Sequence, residues 1–405
     1  MVKLLDMELS SLNRQHYPMT GIAKLLCLIS LLGGTPLLGL YFSGSSLGPY
    51  IAFPPVTESP SPHSFSWPIF GLLAVFTAIV LSPFLVRFIH FSPSQQKPRP
   101  TKIFPWWGWA GAGFLLLSWT LAWSRFPWFE PLQNHTFTPL WMGYIVVINA
   151  LTVKRTGHCL LTDRPYFFLS LFPLSSGFWW IFEFLNRFVK NWYYVGALNS
   201  DPASYFWTAT LPFSTVLPAI IGTYEYLSSF SRFWMPFDRW REIPVPNGRG
   251  MGWAGVLIAS IGLMGIGLWP TLLYPLLWVA PLLTLVGLQR IWGEKGLLED
   301  MQEGNWNPVV IPALSGLVCG FFWEMWNYFS FAHWKYTIPH VQGLQVFEMP
   351  FLGYFGYLPF GITCTVFVQF LSGTYSLHSP ALGHLKSETL FESHLFPSQS
   401  PRVPK

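Results

Sequence analysis

Long apolar stretches alternate with short polar segments along almost the whole chain. A window of about 20 residues without a charge has the length that an α-helix needs to cross a bilayer. We count about ten such windows and find no strand-type alternation, so the pattern predicts an all-α, polytopic transmembrane helix bundle. The predicted spans are 21–43, 67–89, 105–124, 138–153, 166–185, 205–228, 251–269, 271–289, 307–329 and 347–372.

The composition supports the same class of protein. Of the 405 residues, 51% are hydrophobic, 19% are aromatic and only 10% are charged. Soluble domains carry roughly 25% charged residues, so a chain this poor in charge cannot cover a water-facing surface. The expected partner of most of its surface is therefore the lipid bilayer.

The distribution of Lys and Arg predicts the orientation of the chain in a cell membrane. Four of the 23 Lys and Arg residues fall in alternate segments that would lie outside, which leaves 19 for the cytoplasmic side. Cytoplasmic loops are the ones enriched in Lys and Arg, so we predict a multi-pass protein with both termini in the cytoplasm. In a Gram-negative bacterium this would be the inner membrane. The net charge of +5 is thus a topology signal, and no nucleic-acid binding is predicted. The four outside residues are Arg125, Arg187, Lys190 and Lys335.

Two stretches of the chain resemble each other and predict a tandem duplication. Both contain GWAG, at 108–111 and at 252–255, and the sequence GFWWIFEFLNRFVKNWYY at 177–194 parallels GFFWEMWNYFSFAHWKY at 320–336. Units of four spans would be parallel repeats, whose shared sites tend to lie at the repeat interface. The predicted segments are a cytoplasmic N-terminus (1–20), two additional spans (21–102), a first four-helix repeat (103–235), a cytoplasmic linker (236–250), a second four-helix repeat (251–372) and a disordered cytoplasmic tail (373–405).

The duplicated motif carries a carboxylate inside each predicted span. Glu183 is followed three residues later by Asn186, and Glu324 by Asn327, so each pair shares a helix face. A charged group within a membrane is costly and normally faces the bundle interior. We therefore predict two carboxylate–amide pairs between the repeats near the outer leaflet. The alternative is that each Glu reaches the membrane surface among ordinary interfacial aromatic residues.

The candidate catalytic residues are Glu183, Glu324 and Glu348, where Glu348 begins the last predicted span. Two facing carboxylates can act as acid and base when their environments separate their protonation states. The candidate substrate-binding residues are Asn186, Asn327, Trp192, Tyr194, Trp334, Tyr336 and His333.

No metal site is predicted, because the spacing of His333 and His340 matches no metal motif, and no cofactor can be named. The four cysteines contain no CxxC pair and indicate neither a disulfide framework nor a zinc site.

Three classes of function fit these patterns. The first is an enzyme acting on a lipophilic isoprenoid, quinone or lipid-linked substrate by carboxylate acid/base chemistry, with aromatic walls that suit an apolar or carbocation-like guest. The second is a proton-coupled transporter, which the repeat favours. The third is a non-catalytic lipid- or pigment-binding subunit with partners in a larger membrane complex.

Overall fold

The computed structural model describes residues 20–55, 64–92, 102–196, 201–246 and 248–373. Most of these residues are helical, so the predicted helical class is confirmed. The predicted N-terminus and C-terminal tail lie outside the described residues, except for positions 20 and 373. The helices are α1 Gly21–Phe42, α2 Gly48–Ile51, α3 Trp67–His90, α4 Trp106–Trp123, α5 Phe137–Thr156, α6 Leu160–Asp163, α7 Pro165–Val189, α8 Pro202–Phe213, α9 Val216–Ser228, α10 Ser231–Trp234, α11 Gly250–Ile266, α12 Pro270–Leu273, α13 Leu276–Trp292, α14 Leu297–Gln302, α15 Asn307–Phe329 and α16 Tyr357–Ser372.

Seven helical segments of the described chain are long and apolar enough to cross a membrane, which indicates an integral membrane protein. Helices α11 and α13 are apolar but have only 17 residues each, and α4 has 18. Each predicted span overlaps at least one helix, but spans 205–228 and 271–289 are each divided between two helices and 347–372 begins before α16, while length and composition support seven crossings. The seven segments are Gly21–Phe42, Trp67–His90, Phe137–Thr156, Pro165–Val189, Pro202–Ser228, Asn307–Phe329 and Phe351–Ser372.

Two pairs of helices pack closely through the glycines of the GWAG sequences. Helix α4 lies against α5, and α11 lies against α13. A Cβ atom added at Gly111 would lie 2.4 Å from Cγ1 of Val146, and one at Gly252 would lie 2.7 Å from the carbonyl oxygen of Gly287. These distances leave no room for a side chain, so glycine is needed where the two backbones approach.

Helices α7, α9, α15 and α16 form the centre of the bundle. Helix α9 contacts α5, α7 and α15, while α16 packs along α15 and α13. The crossing of α15 and α16 depends on two glycines, because a Cβ at Gly316 would lie 2.2 Å from the carbonyl oxygen of Tyr357 and one at Gly361 would lie 2.1 Å from that of Pro312. This close crossing brings the first turn of α16 next to the acid-bearing part of α15.

Short strands follow the two acid-bearing helices, and the all-helical prediction did not include them. Strand β1 (Trp192–Val195) pairs antiparallel with β2 (His333–Tyr336). In this register Trp192 faces Tyr336 and Tyr194 faces Trp334, so the two Trp-x-Tyr sequences are related as by a twofold axis. We call this end of the molecule the strand end. Strands β3 (Gln345–Val346) and β4 (Met349–Pro350) form a second hairpin there.

Helix α3 is attached to the bundle only near its two ends. The amide of Ser66 donates to the carbonyl oxygen of His340 at the strand end, and Arg87 Nε donates to the carbonyl oxygen of Pro236 at the other end, at 2.7 Å. No residue of α3 is buried. Its turns beyond Leu73 therefore contribute little to the core, which only Phe70 and Leu73 of this helix contact among its described neighbours.

Candidate functional site

The carboxylate of Glu183 lies near the end of α7, inside a ring of aromatic hydrogen-bond donors. Its Oε1 accepts from Nε1 of Trp179 at 2.9 Å, from Nε1 of Trp192 at 3.1 Å and from the hydroxyl of Tyr194 at 2.5 Å. Trp179 is four residues earlier on the same helix face, and the other two donors come from β1. The side chain is 8% exposed, so three donors replace the water that it loses.

The carboxylate of Glu324 has a similar environment on α15 and is completely buried. Its Oε1 accepts from the hydroxyl of Tyr336 at 2.6 Å and from that of Tyr357 at 2.5 Å. The indole of Trp334 donates to the Tyr336 hydroxyl at 2.8 Å and completes the chain of hydrogen bonds. Oε2 of Glu324 has no hydrogen-bond partner among the described residues.

The two asparagines hold the strands rather than face a cavity. Asn327 donates from Nδ2 to the carbonyl oxygen of Trp334 at 2.7 Å and accepts the Trp334 amide on Oδ1 at 2.8 Å. Asn186 makes the same two bonds with the backbone of Trp192, at 2.8 and 3.3 Å. Each amide group therefore fixes the start of the Trp-x-Tyr sequence whose tyrosine reaches the carboxylate on the preceding turn.

The two strand tyrosines remain protonated donors over the physiological pH range. Burial, together with the neighbouring carboxylate, raises the pKa of Tyr194 and of Tyr336 well above the ordinary value of 10. Both hydroxyls can therefore donate to a carboxylate. The Tyr194 hydroxyl still offers an oxygen lone pair to a guest, whereas that of Tyr336 accepts from the indole of Trp334.

A cavity of about 430 Å³ lies between the two acid-bearing motifs at the strand end. Its volume is within the range of sites for small organic ligands. The carboxylates are not part of its wall; the indoles and phenols that donate to them are. The aromatic lining residues are Phe137, Trp179, Trp192, Tyr194, Tyr205, Phe213, Trp278, Trp323, Trp334, Tyr336 and Tyr357.

A polar rim closes the cavity towards the strand end. It consists of Asn134 and His135 before α5, and of His333 at the start of β2. His135 is exposed, whereas Asn134 and His333 are half-buried. The cavity thus has a polar rim near water, and the rest of its lining is mostly aromatic or aliphatic.

Five of the predicted substrate-binding residues line this cavity, namely Trp192, Tyr194, Trp334, Tyr336 and His333. Asn186 and Asn327 do not line it, and the carboxylates of Glu183 and Glu324 lie directly behind its wall.

Glu348 is separate from this arrangement. It lies half-buried in the two-residue turn between β3 and β4, does not line the cavity, and makes no hydrogen bond with the described residues.

Sequence reasoning missed seven aromatic residues of the wall, namely Phe137, Trp179, Tyr205, Phe213, Trp278, Trp323 and Tyr357. Trp179 could have been found, because it precedes Glu183 by four residues. Tyr357 carries no such signal, because it reaches Glu324 only through the crossing of α15 and α16.

The part of the chain that the structure describes contains no group of three or more His, Cys, Asp or Glu side chains arranged to hold a metal ion. Nδ1 of His333 lies 3.0 Å from the carbonyl oxygen of Phe331, and His340 joins Phe65 in an isolated backbone bridge.

No protein-family model matches the chain, and no curated protein or solved structure is significantly similar to it. The function therefore has to be argued from the cavity and its hydrogen bonds.

Proposed function

We propose that this integral membrane protein binds a lipophilic molecule in the aromatic cavity and carries out acid/base chemistry on it. The observation that carries the proposal is the pairing of wall tyrosines with buried carboxylates, at 2.6 Å for Tyr336 and Glu324 and at 2.5 Å for Tyr194 and Glu183. The aromatic wall favours an apolar guest, since burial of apolar surface drives its transfer from water.

The pairs supply a route for a proton between guest and carboxylate. When the hydroxyl oxygen of Tyr194 takes a proton from the guest, its own proton passes along the existing hydrogen bond to Glu183. The reverse transfer returns a proton to the guest. In this scheme the tyrosines touch the substrate, while the glutamates hold the proton and the asparagines position the strands. Glu348 has no part in it.

The finer architecture belongs to the same proposal. Ten helices would cross the membrane with both termini cytoplasmic, and two four-helix repeats would meet at the cavity. The matching Asn–backbone and Glu–tyrosine contacts in the two motifs support the duplication. The location of Arg125, Arg187 and Lys335 at the strand end is consistent with that end lying outside.

A proton-coupled transporter is the second candidate, and a buried polar cluster favours it. The hydroxyls of Tyr144 and Thr223 lie 2.8 Å apart, and Sγ of Cys319 lies 3.4 Å from the Thr223 hydroxyl. This cluster is one to two helical turns deeper than the cavity, on α5, α9 and α15. Substrate-driven proton uptake by proteoliposomes, without chemical change of the substrate, would identify a transporter.

Filling the cavity tests the proposal. Ala209 of α8 lines the cavity, whereas Leu211 on the same helix is 54% exposed. We expect the amount of lipophilic ligand retained by the Ala209→Trp protein to be about tenfold lower than for the wild type, or lower still. A loss of roughly 1.4 kcal/mol of binding free energy lowers the affinity tenfold. The measurement is mass spectrometry of the small molecules that copurify with each protein.

The Leu211→Trp protein is the matched control and should retain the wild-type complement. Equal retention by both variants would refute the cavity as the binding site. Comparison with the Glu183→Gln protein separates the classes of function: an enzyme would accumulate substrate in place of product, whereas a binding subunit would retain the same species.

A further inference from the structure

We infer that the guest of the cavity is a membrane amphiphile with a small, positively charged ammonium head group. This inference rests on the proposed function and adds the charge of the ligand to it. It follows from three independent features of the site, namely the geometry of the aromatic wall, the unpaired carboxylates behind it and the lack of a competing cation.

The wall contains several indole rings that lie close together. The rings of Trp179 and Trp192 have centroids 6.0 Å apart, and those of Trp192 and Trp278 have centroids 5.7 Å apart. Trp323 and Trp334 continue the wall from the other motif. The face of an indole ring carries negative electrostatic potential, and several such faces around one volume bind quaternary ammonium groups.

The carboxylates increase this potential. Each accepts hydrogen bonds from the N–H or O–H groups of wall residues, and this polarises those groups so that electron density shifts into the rings. A buried negative charge also attracts a cation much more strongly than an exposed one, because little water screens it. Neither Glu183 nor Glu324 forms an ion pair with a described Lys, Arg or His side chain. Oε2 of Glu324 has no hydrogen-bond partner among the described residues.

The nearest fixed cation is directed elsewhere. Arg187 follows Glu183 by four residues, but its guanidinium Nη1 donates to the carbonyl oxygens of Tyr50 and Ala52, at 2.8 Å each. No Lys or Arg is among the described residues that line the cavity. Arg187 still attracts Glu183 through space, but neither carboxylate has a direct cationic partner among the described residues, and a positive guest would supply one.

The ends of the cavity indicate an amphiphile rather than a free solute. The polar rim of Asn134, His135 and His333 is near water, whereas α8 at the side presents Trp207 and Leu211 outward, 61% and 54% exposed. A head group can thus occupy the aromatic volume while an apolar tail continues along the lipid-facing helices.

Binding of two isosteric probes tests the inference. Dodecyltrimethylammonium and its neutral carbon analogue 2,2-dimethyltetradecane have the same shape and differ in charge. We expect the purified protein in uncharged maltoside micelles to bind the ammonium probe at least about tenfold more tightly, measured by tryptophan fluorescence. Glu324→Gln should remove most of this preference and leave binding of the neutral probe unchanged, which also shows that the variant is folded.

Glu130→Gln, which changes an exposed acid at the same end, should leave the preference intact. Equal binding of the two probes by the wild type would overturn the inference and leave the cavity proposal standing, whereas binding of neither probe would overturn both. The short probe butyltrimethylammonium distinguishes a soluble ammonium ligand from a membrane amphiphile. If it binds as tightly as the long one, the ligand is a soluble ammonium compound and the amphiphile assignment is wrong.

Discussion

The side-chain amides of Asn186 and Asn327 each satisfy both backbone groups of a tryptophan in the first two residues of a strand. Buried N–H and C=O groups without partners cost about 1 to 3 kcal/mol each. We therefore predict that Asn327→Ala lowers the free energy of unfolding by roughly 2 to 4 kcal/mol, measured by thermal unfolding of the purified protein.

Asn191 provides a control next to β1. It is 1% exposed, and neither Nδ2 nor Oδ1 has a hydrogen-bond partner in the described chain. Asn191→Ala should be neutral or stabilising, because it removes polar groups that are buried without compensation. If the two variants unfold at the same temperature, the backbone contacts of Asn327 are not what holds β2.

The sequence could identify the two glutamates and the tyrosines of the strands as one group, because the same order of Glu, Asn and Trp-x-Tyr occurs twice. It could not reveal that the tyrosines lie between the cavity and the carboxylates, since that depends on how the chain folds back after each helix. The assignment of the asparagines to ligand binding used helix spacing alone. Their contacts involve residues six and seven positions later, beyond the reach of a helical pattern.

The crossing of α15 and α16 allows no side chain at its contact point. A Cβ at Gly316 would meet the carbonyl oxygen of Tyr357, a backbone atom that cannot rotate away. We predict that Gly316→Ala destabilises the protein by about 1 to 3 kcal/mol, the usual cost of overpacking. Thermal unfolding is again the measurement.

Gly177 of α7 is the matched control, because a Cβ there has no atom within 4 Å. Alanine at this open helical position should stabilise the protein by roughly 0.5 to 1 kcal/mol through the reduced entropy of the unfolded chain. Changes of the same sign in both proteins would mean that helix propensity, and not the crossing, governs the effect at Gly316.

Apolar periodicity predicted every long helix of the described chain, because burial in lipid or protein is the main signal in such segments. It missed the division between α8 and α9, where Ser214 and Thr215 interrupt the sixth predicted span. It also missed β1 and β2, each of four residues, which the asparagines and the pairing of the two motifs stabilise. Such contacts are non-local and leave no period in the sequence.

The orientation of the whole molecule can be measured with single cysteines. Glu130 is exposed at the strand end, and Lys295 is 47% exposed at the opposite end. With both termini cytoplasmic, a membrane-impermeant maleimide should label Glu130→Cys in intact cells and Lys295→Cys only after permeabilisation. The wild-type chain is the background control, since Cys159, Cys319 and Cys364 are buried and Cys27 is half-buried. The reverse labelling pattern would contradict the positive-inside assignment.

At the scale of the molecule, charge distribution and hydrophobicity predicted a membrane-embedded helical protein. The cavity was not predictable in this way, because its walls come from seven separate segments whose meeting depends on side-chain packing. The internal similarity predicted an interface between two motifs, and the paired strands join those motifs in one antiparallel register.

The loose attachment of α3 has a consequence for how the protein responds to its host bilayer. With 24 residues, this helix is about 36 Å long, whereas the hydrocarbon core measures about 30 Å. In a bilayer its exposed middle turns would face acyl chains, so a change of membrane thickness would alter its tilt at little cost while the tightly packed helices stay in place. A thickness change would therefore be transmitted through its two anchors, and the one at His340 adjoins the loop that leads from β2 to β3.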